Sequence, residues 1–280
     1  MALQKRYLIT YIRTKFALLS AVSKKKAAKA AFHLFCTPQF KNTKPLPASF
    51  EKSEKIEFTL GNDMIRGYRW NHPSSKKVLI LHGFESSVVN FDRYVGPLVK
   101  KGYEVLAFDA PAHGKSTGRE VNVLMYRNMI QQIYADHGPI DAFLSHSFGG
   151  LAVSLFLETI PHNENLKVVL IAPAMETKTA ADHFFKLLNL DADVRKEFDH
   201  YLTHLGGNPP GWYSILRASE NIKAQVLFLQ DKHDDMTPLS DVKPLMEKNY
   251  PNFHFIISEG LGHRRIYRDN SSVKAILEFL

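Results

Sequence analysis

Short apolar runs, each too brief for a helix, recur along this chain with helix-length spacers between most of them. Val78-Leu79-Ile80-Leu81, Val105-Leu106-Ala107-Phe108, Ala142-Phe143-Leu144, Val168-Val169-Leu170-Ile171 and Val226-Leu227-Phe228-Leu229 are the clearest. A strand buried on both faces carries apolar side chains at successive positions, not alternate ones. Helical patterns, such as residues 121–135 and 148–159, fall between the runs. This alternation predicts an α/β fold with a mostly parallel central sheet and helices on both faces. Ahead of it, residues 56–60 alternate in polarity, Gly61-Asn62-Asp63 turns, and residues 65–70 resume the strand pattern. That combination predicts a hairpin.

Two segments depart from the alternation. Between about residues 174 and 218 no strand pattern occurs; helical patterns at 180–190 and 194–205 precede Gly206-Gly207-Asn208-Pro209-Pro210-Gly211. The expectation is a small helical lid inserted over the sheet's ligand-binding edge. Its Phe184, Phe185, Leu187, Leu188, Trp212 and Tyr213 suit a partly apolar pocket or, equally, the lid's own small core. Residues 1–50 form the second departure, a basic helical arm and connector ahead of a main domain at 51–280. On the arm Leu3, Tyr7, Leu8, Tyr11, Ile12, Leu19 and Val22 fall on one broad face at helical spacing. Arg6, Arg13 and Lys24 fall roughly opposite, and Lys15 interrupts the apolar face. Phe32, Leu34 and Phe35 form a further patch, and Pro38, Pro45 and Pro47 mark an extended connector.

Charge follows the same division. The chain carries 36 Lys and Arg against 28 Asp and Glu, a formal net of +8. Ten of the basic residues and none of the acidic ones lie in residues 1–50, which leaves the remainder at −2. The body thus lacks the cationic excess that nucleic-acid binding requires. Cys36 is the only cysteine, so neither an internal disulfide nor a cysteine zinc site can form. No apolar run reaches transmembrane length, and the start fits a secretory signal poorly. A cytoplasmic location is expected. Two readings of the arm stay open: its apolar face packs on the body, or residues 1–35 make weak peripheral contact with a membrane surface.

The chemistry concentrates in one turn. Ser145-His146-Ser147-Phe148-Gly149-Gly150 leaves the apolar run at 142–144 and enters a helical pattern. A nucleophilic serine needs such a strand–turn–helix to project its hydroxyl above a sheet. The small residues Ser145, Gly149 and Gly150 permit the sharp turn, although a Ser- and Gly-rich turn without catalytic use has the same letters. Three further segments follow strands. They are Leu81-His82-Gly83-Phe84, the loop from Phe108-Asp109 to His113-Gly114-Lys115-Ser116, and Gln230-Asp231-Lys232-His233-Asp234-Asp235-Met236-Thr237-Pro238. A last one, Glu259-Gly260-Leu261-Gly262-His263, lies near the C-terminus.

Together these segments resemble the α/β-hydrolase superfamily of serine hydrolases, esterase- and lipase-like, over roughly residues 54–280. The resemblance implies Ser147 as nucleophile, with Ser145 in place of the first glycine of G-x-S-x-G. It implies His263 as base and Asp234 as the acid of D-x-x-V/T-P, with Asp231 and Asp235 as alternatives. By the same resemblance the N–H groups of Phe84 and Phe148 form the oxyanion hole. His82 and Gly83 shape that loop, and the Asp109 to Ser116 loop is structural. The order Ser, Asp, His along the chain is the one this fold uses. The expected activity is hydrolysis of a carboxylic ester or related acyl bond in a small-molecule substrate. It proceeds through an acyl-enzyme with neither metal nor organic cofactor. Thioesterase, lipase and C–C hydrolase activities share the geometry, and a non-catalytic binding protein on the same scaffold is the alternative of another class.

Overall fold

The computed structural model describes residues 2–40 and 45–280, with the side chains of residues 2–6 and 8 left aside. Leu3, Arg6 and Leu8 of the predicted arm faces, and residues 41–44 of the connector, therefore lie outside the described residues. The strands are β1 (Glu54–Leu60), β2 (Asp63–Trp70), β3 (Lys77–Leu81), β4 (Glu104–Phe108), β5 (Ala142–His146), β6 (Lys167–Ile171), β7 (Gln225–Asp231) and β8 (Phe253–Ser258). The helices are α1 (Ala2–Val22), α2 (Lys24–Cys36), α3 (Ala48–Glu51), α4 (Asp92–Lys100), α5 (Val123–His137), α6 (Phe148–Leu157), α7 (Thr177–Leu188), α8 (Ala192–Gly206), α9 (Ile215–Ala218), α10 (Leu239–Glu247), α11 (Gly262–Arg265) and α12 (Asn270–Phe279).

All eight strands form one sheet in the order β1-β2-β4-β3-β5-β6-β7-β8. The predicted hairpin is β1–β2, with Leu60 opposite Asp63 across a two-residue turn. β2 runs antiparallel to β4, and every pairing from β4 through β8 is parallel. The five apolar runs are its central strands, and nearly every residue in them is fully buried. One face of the sheet packs Val78, Ile80, Val105, Leu144, Val169 and Leu229 against Phe91, Tyr94, Leu98 and Ile276. Two buried tyrosines in this core avoid stranding a hydroxyl. Tyr94 donates to the Tyr267 carbonyl and Tyr103 to the Leu280 carbonyl, each at 2.7 Å. Because β3, β5, β7 and β8 run parallel, the loops leaving their C-terminal ends emerge along one sheet edge. In open α/β sheets that edge is where ligands bind.

The chain divides into two compact units: Pro38–Met175 with Ile215–Leu280, which holds the sheet, and Met1–Thr37 with Glu176–Ser214. The second unit joins the arm to the insertion. Its arm is two helices rather than one continuous pattern. Ser23 adopts an extended conformation, and its hydroxyl accepts from the Lys26 N–H to cap α2. Phe32 then packs against Phe198 and Tyr201, and Phe35 against Phe184 and Phe198. Asp191, ahead of α8, accepts from Ser20, Lys24 and the Val194 N–H. The Lys24 ammonium is the first cause holding its carboxyl down, at about 2. Arg13 donates to the Leu187 carbonyl at 2.7 Å.

The predicted single apolar face of α1 is not one face. Ile12 and Leu19 are half-buried, whereas Tyr7, Tyr11 and Val22 are exposed. Phe16, absent from the predicted face, is the buried residue among the described side chains of the helix. The insertion's aromatics pack within a core shared with the arm: Phe185 and Tyr213 are buried, and Phe184 rests on Phe35 of α2, while Leu187 is exposed. Among the described residues no helix is long and apolar enough to cross a membrane.

Candidate active site

β5 ends at His146, and Ser147 stands at the join with α6 in a conformation few side chains adopt, φ +53° and ψ −120°. Such strain persists only where the surroundings enforce it. Here the Ser147 N–H donates to the Ile171 carbonyl at 3.0 Å, and its carbonyl accepts from the N–H groups of Gly150 and Ala174. The turn is possible because its neighbours are small. A Cβ on Gly149 would lie 2.8 Å from the His82 carbonyl oxygen, and one on Gly150 2.7 Å from Pro173. Ser145 fits where the sequence pattern has glycine, because its hydroxyl donates to the Val169 carbonyl at 2.8 Å inside the sheet.

Three side chains from three strand ends meet at this turn. The Ser147 hydroxyl lies 3.0 Å from Nε2 of His263. On the far side of the ring, Nδ1 lies 2.8 Å from Oδ2 of Asp234. With the Nδ1 proton directed at the carboxylate, Nε2 is left to accept from serine. Asp234 also accepts from the N–H groups of Met236 and Thr237 and from the Thr237 hydroxyl. Burial works against its charge, yet the His263 hydrogen bond and charge and the Thr237 bonds hold the carboxyl below the usual aspartate value. Asp235 is exposed. Asp231 is buried but serves the loops, accepting from the His233 and Leu261 N–H groups and the Ser258 hydroxyl.

The His82-Gly83-Phe84 loop runs directly against the serine, since a Cβ on Gly83 would stand 2.9 Å from Cβ of Ser147. Among the described residues, neither the Phe84 N–H nor the Phe148 N–H donates to a protein acceptor. The second is the first N–H of α6, which has no carbonyl one turn back. Both N–H groups are thus donors without a protein acceptor on the two segments that flank the serine, and the two rings pack edge to face at 5.9 Å. His82 braces the loop as a neutral imidazole. Nδ1 donates to the Gly83 carbonyl at 2.7 Å, Nε2 accepts from the Ala110 N–H, and burial brings its pKa down to about 4. Its 3.9 Å approach to Asp109 is thus not an ion pair. His113 accepts from the Glu85 N–H, and Asp109 accepts from the Val88 and Lys115 N–H groups. Burial raises the Asp109 carboxyl. Among the described residues no cluster of three His, Cys, Asp or Glu side chains is placed to hold a metal ion.

A family model described as serine aminopeptidase, S33, matches residues 72–206. The fold matches an esterase of Pyrococcus furiosus, Pf2001, with a TM-score of 0.65 at 21% identity, covering 87% of this chain and 98% of that one. The chain has the α/β-hydrolase fold. The chain is 27% identical to YqkD of Bacillus subtilis, a protein named as uncharacterized, over 83% of this chain and 81% of that one. It is also 25% identical to the 2-hydroxy-6-oxononadienedioate/2-hydroxy-6-oxononatrienedioate hydrolase of Escherichia coli, over 58% of this chain and 72% of that protein.

Two residues beside the candidate site carry little in the sequence that would single them out. His146 is buried, and its Nε2 lies 3.0 Å from the His263 carbonyl. Its ring sits 4.7 Å from that of His263 and 4.6 Å from that of Tyr267. Burial, then the neighbouring His263, bring its pKa down to about 3, so it acts as a neutral donor that fixes the backbone of His263. Thr237 bonds Asp234 and also lies 3.2 Å from Nδ1 of His263. The D-x-x-V/T-P pattern contains this threonine, and that was the one available signal. Nothing in the sequence pairs residue 146 with the loop at 263.

Proposed function

We propose that this chain cleaves a carboxylic ester or related acyl bond, with Ser147 as nucleophile, His263 as general base and acid, and Asp234 as the group that orients it. The observation that carries this reading is the pair of contacts 3.0 Å and 2.8 Å on either side of the His263 ring, with the serine on a strained turn. His263 takes the hydroxyl proton as Ser147 Oγ attacks the carbonyl carbon. Asp234 keeps the proton on Nδ1 and stabilises the imidazolium that forms. The N–H groups of Phe84 and Phe148 receive the oxyanion of the tetrahedral intermediate, on the order of 3 kcal/mol for each well-aimed donor. His263 then returns the proton to the leaving alcohol. Water repeats the sequence on the acyl-enzyme and frees the acid.

Purified Ser147→Ala should lose hydrolysis of short p-nitrophenyl esters by at least about 10³-fold with an unchanged melting temperature. A fluorophosphonate probe should label the wild-type chain on Ser147 alone. Turnover retained by the variant would overturn the assignment, and a folded wild-type chain inert to the probe would favour a binding role on this scaffold. The E. coli relative is by name a hydrolase of 2-hydroxy-6-oxononadienedioate, a compound whose name carries no ester or amide, which supports a C–C hydrolase as the second reading. A panel of esters, thioesters, amides and vinylogous diketone acids separates the two by kcat/KM.

A further inference from the structure

The outer side of α1 carries an apolar ridge that its packing does not use. Tyr7, Tyr11, Leu18 and Val22 are 70%, 67%, 68% and 78% exposed. At about 100° per residue these four positions fall within about 60° of one another around the helix. The buried side is distinct, with Phe16 inside and Ile9, Ile12 and Leu19 half-buried. Lys15, also exposed, borders the ridge about 20° beyond Val22 around the helix, and exposed Lys25, Lys26 and Lys29 lie in the first turns of the helix that follows. A lone exposed leucine needs no explanation, but an aligned row of four large apolar residues does.

We infer that α1 docks this ridge on an anionic lipid surface. Charge selects that occupant. Residues 1–50 hold ten Lys and Arg and no acidic residue. Two copies laid ridge to ridge would bring these like charges together, whereas a leaflet rich in anionic headgroups meets them with opposite charge. The side chains suit the depth. Leu18 and Val22 enter the acyl boundary, the tyrosines place a ring inside and a hydroxyl among headgroups, and Lys15 extends its ammonium outward along its own stem. A helix of 21 residues is roughly 30 Å long, enough to lie along the surface as an in-plane anchor.

Sedimentation of the full chain with vesicles tests this. One set is phosphatidylcholine alone, and the other contains about one third phosphatidylglycerol. The wild-type chain should partition at least tenfold more strongly to the anionic set, and raising salt to about 0.5 M should weaken it. A Tyr7→Ser, Tyr11→Ser, Leu18→Ser, Val22→Ser variant should lose at least tenfold in binding while its melting temperature stays put. A second variant, with Lys15, Lys25, Lys26 and Lys29 each changed to Glu, should lose binding independently and guards against misfolding of the first. Absence of wild-type binding, equal partition to both vesicle sets, or wild-type binding by both variants overturns the inference. So does a dimer in solution that the serine variant dissolves in a chain that ignores vesicles.

Discussion

Gly83 has space for a hydrogen and nothing larger, because a Cβ there would meet Cβ of Ser147 at 2.9 Å and Nδ1 of His146 at 3.0 Å. Both neighbours are held by buried backbone, so the loop rather than the elbow should move in Gly83→Ala. The expected result is a fall of about 100-fold in kcat on a p-nitrophenyl ester, with a loss of roughly 1–3 kcal/mol in stability by urea unfolding. Asp231 is tested by pH. Burial opposes its charge, but the Ser258 hydroxyl and the N–H groups of Leu261, His233 and Gly262 prevail and hold it at about 2 against an ordinary 3.8. A carboxyl lowered on folding stabilises the protein fully above its unfolded value and loses that contribution as pH falls through the folded one. The stability difference between wild type and Asp231→Asn should therefore be constant near neutrality and shrink by roughly 2 kcal/mol between 3.8 and about 2. At this scale the sequence exposed the residues with motif-fixed neighbours, such as Ser147 in its turn. It concealed His146, whose partner carbonyl is 117 positions away and is chosen only by the folded chain.

Secondary-structure elements were legible in proportion to how one-sided their surroundings are. A strand covered on both faces prints an unbroken apolar run, so β3 to β7 could be read directly. The hairpin followed from alternation and its turn, where Gly61 sits at φ +62°. α1 misled because it is apolar on two sides, and periodicity reports that apolar residues align without saying which side is covered. α2 posed a different difficulty: its Phe32 and Phe35 plainly seek a partner, but nothing in residues 24–36 names α7 or α8. The pairing itself is testable. Phe32 is buried between the rings of Phe198 and Tyr201, so Phe32→Ala should cost about 3 kcal/mol locally. Hydrogen exchange should accelerate across α8 while β3 and β5 keep their protection; uniform acceleration everywhere would contradict the packing described.

The molecule as a whole is assembled from a sheet unit and a helical unit whose two pieces are far apart in sequence. All eight strands belong to the first unit. A chain lacking residues 2–37 should therefore retain its sheet signature in circular dichroism while the rings of Phe184, Phe198 and Tyr201 lose their cover. Limited proteolysis should then cut within 177–206 at least tenfold faster than in the full chain. Equal cutting rates would mean that the insertion is stable alone. The discontinuity also has a temporal side. The arm is made first, and the segment that receives it begins at Thr177, about 140 residues after Cys36. At ~5–20 residues per second the ribosome takes about ten to thirty seconds to cover that distance. For that interval Phe32 and Phe35 lack the rings of Phe184, Phe198 and Tyr201 that they pack on in the finished fold, and the nascent chain carries a basic, apolar helix pair without its cover. The apolar side of α2 is thus bare during synthesis and is covered only when α7 and α8 have been made.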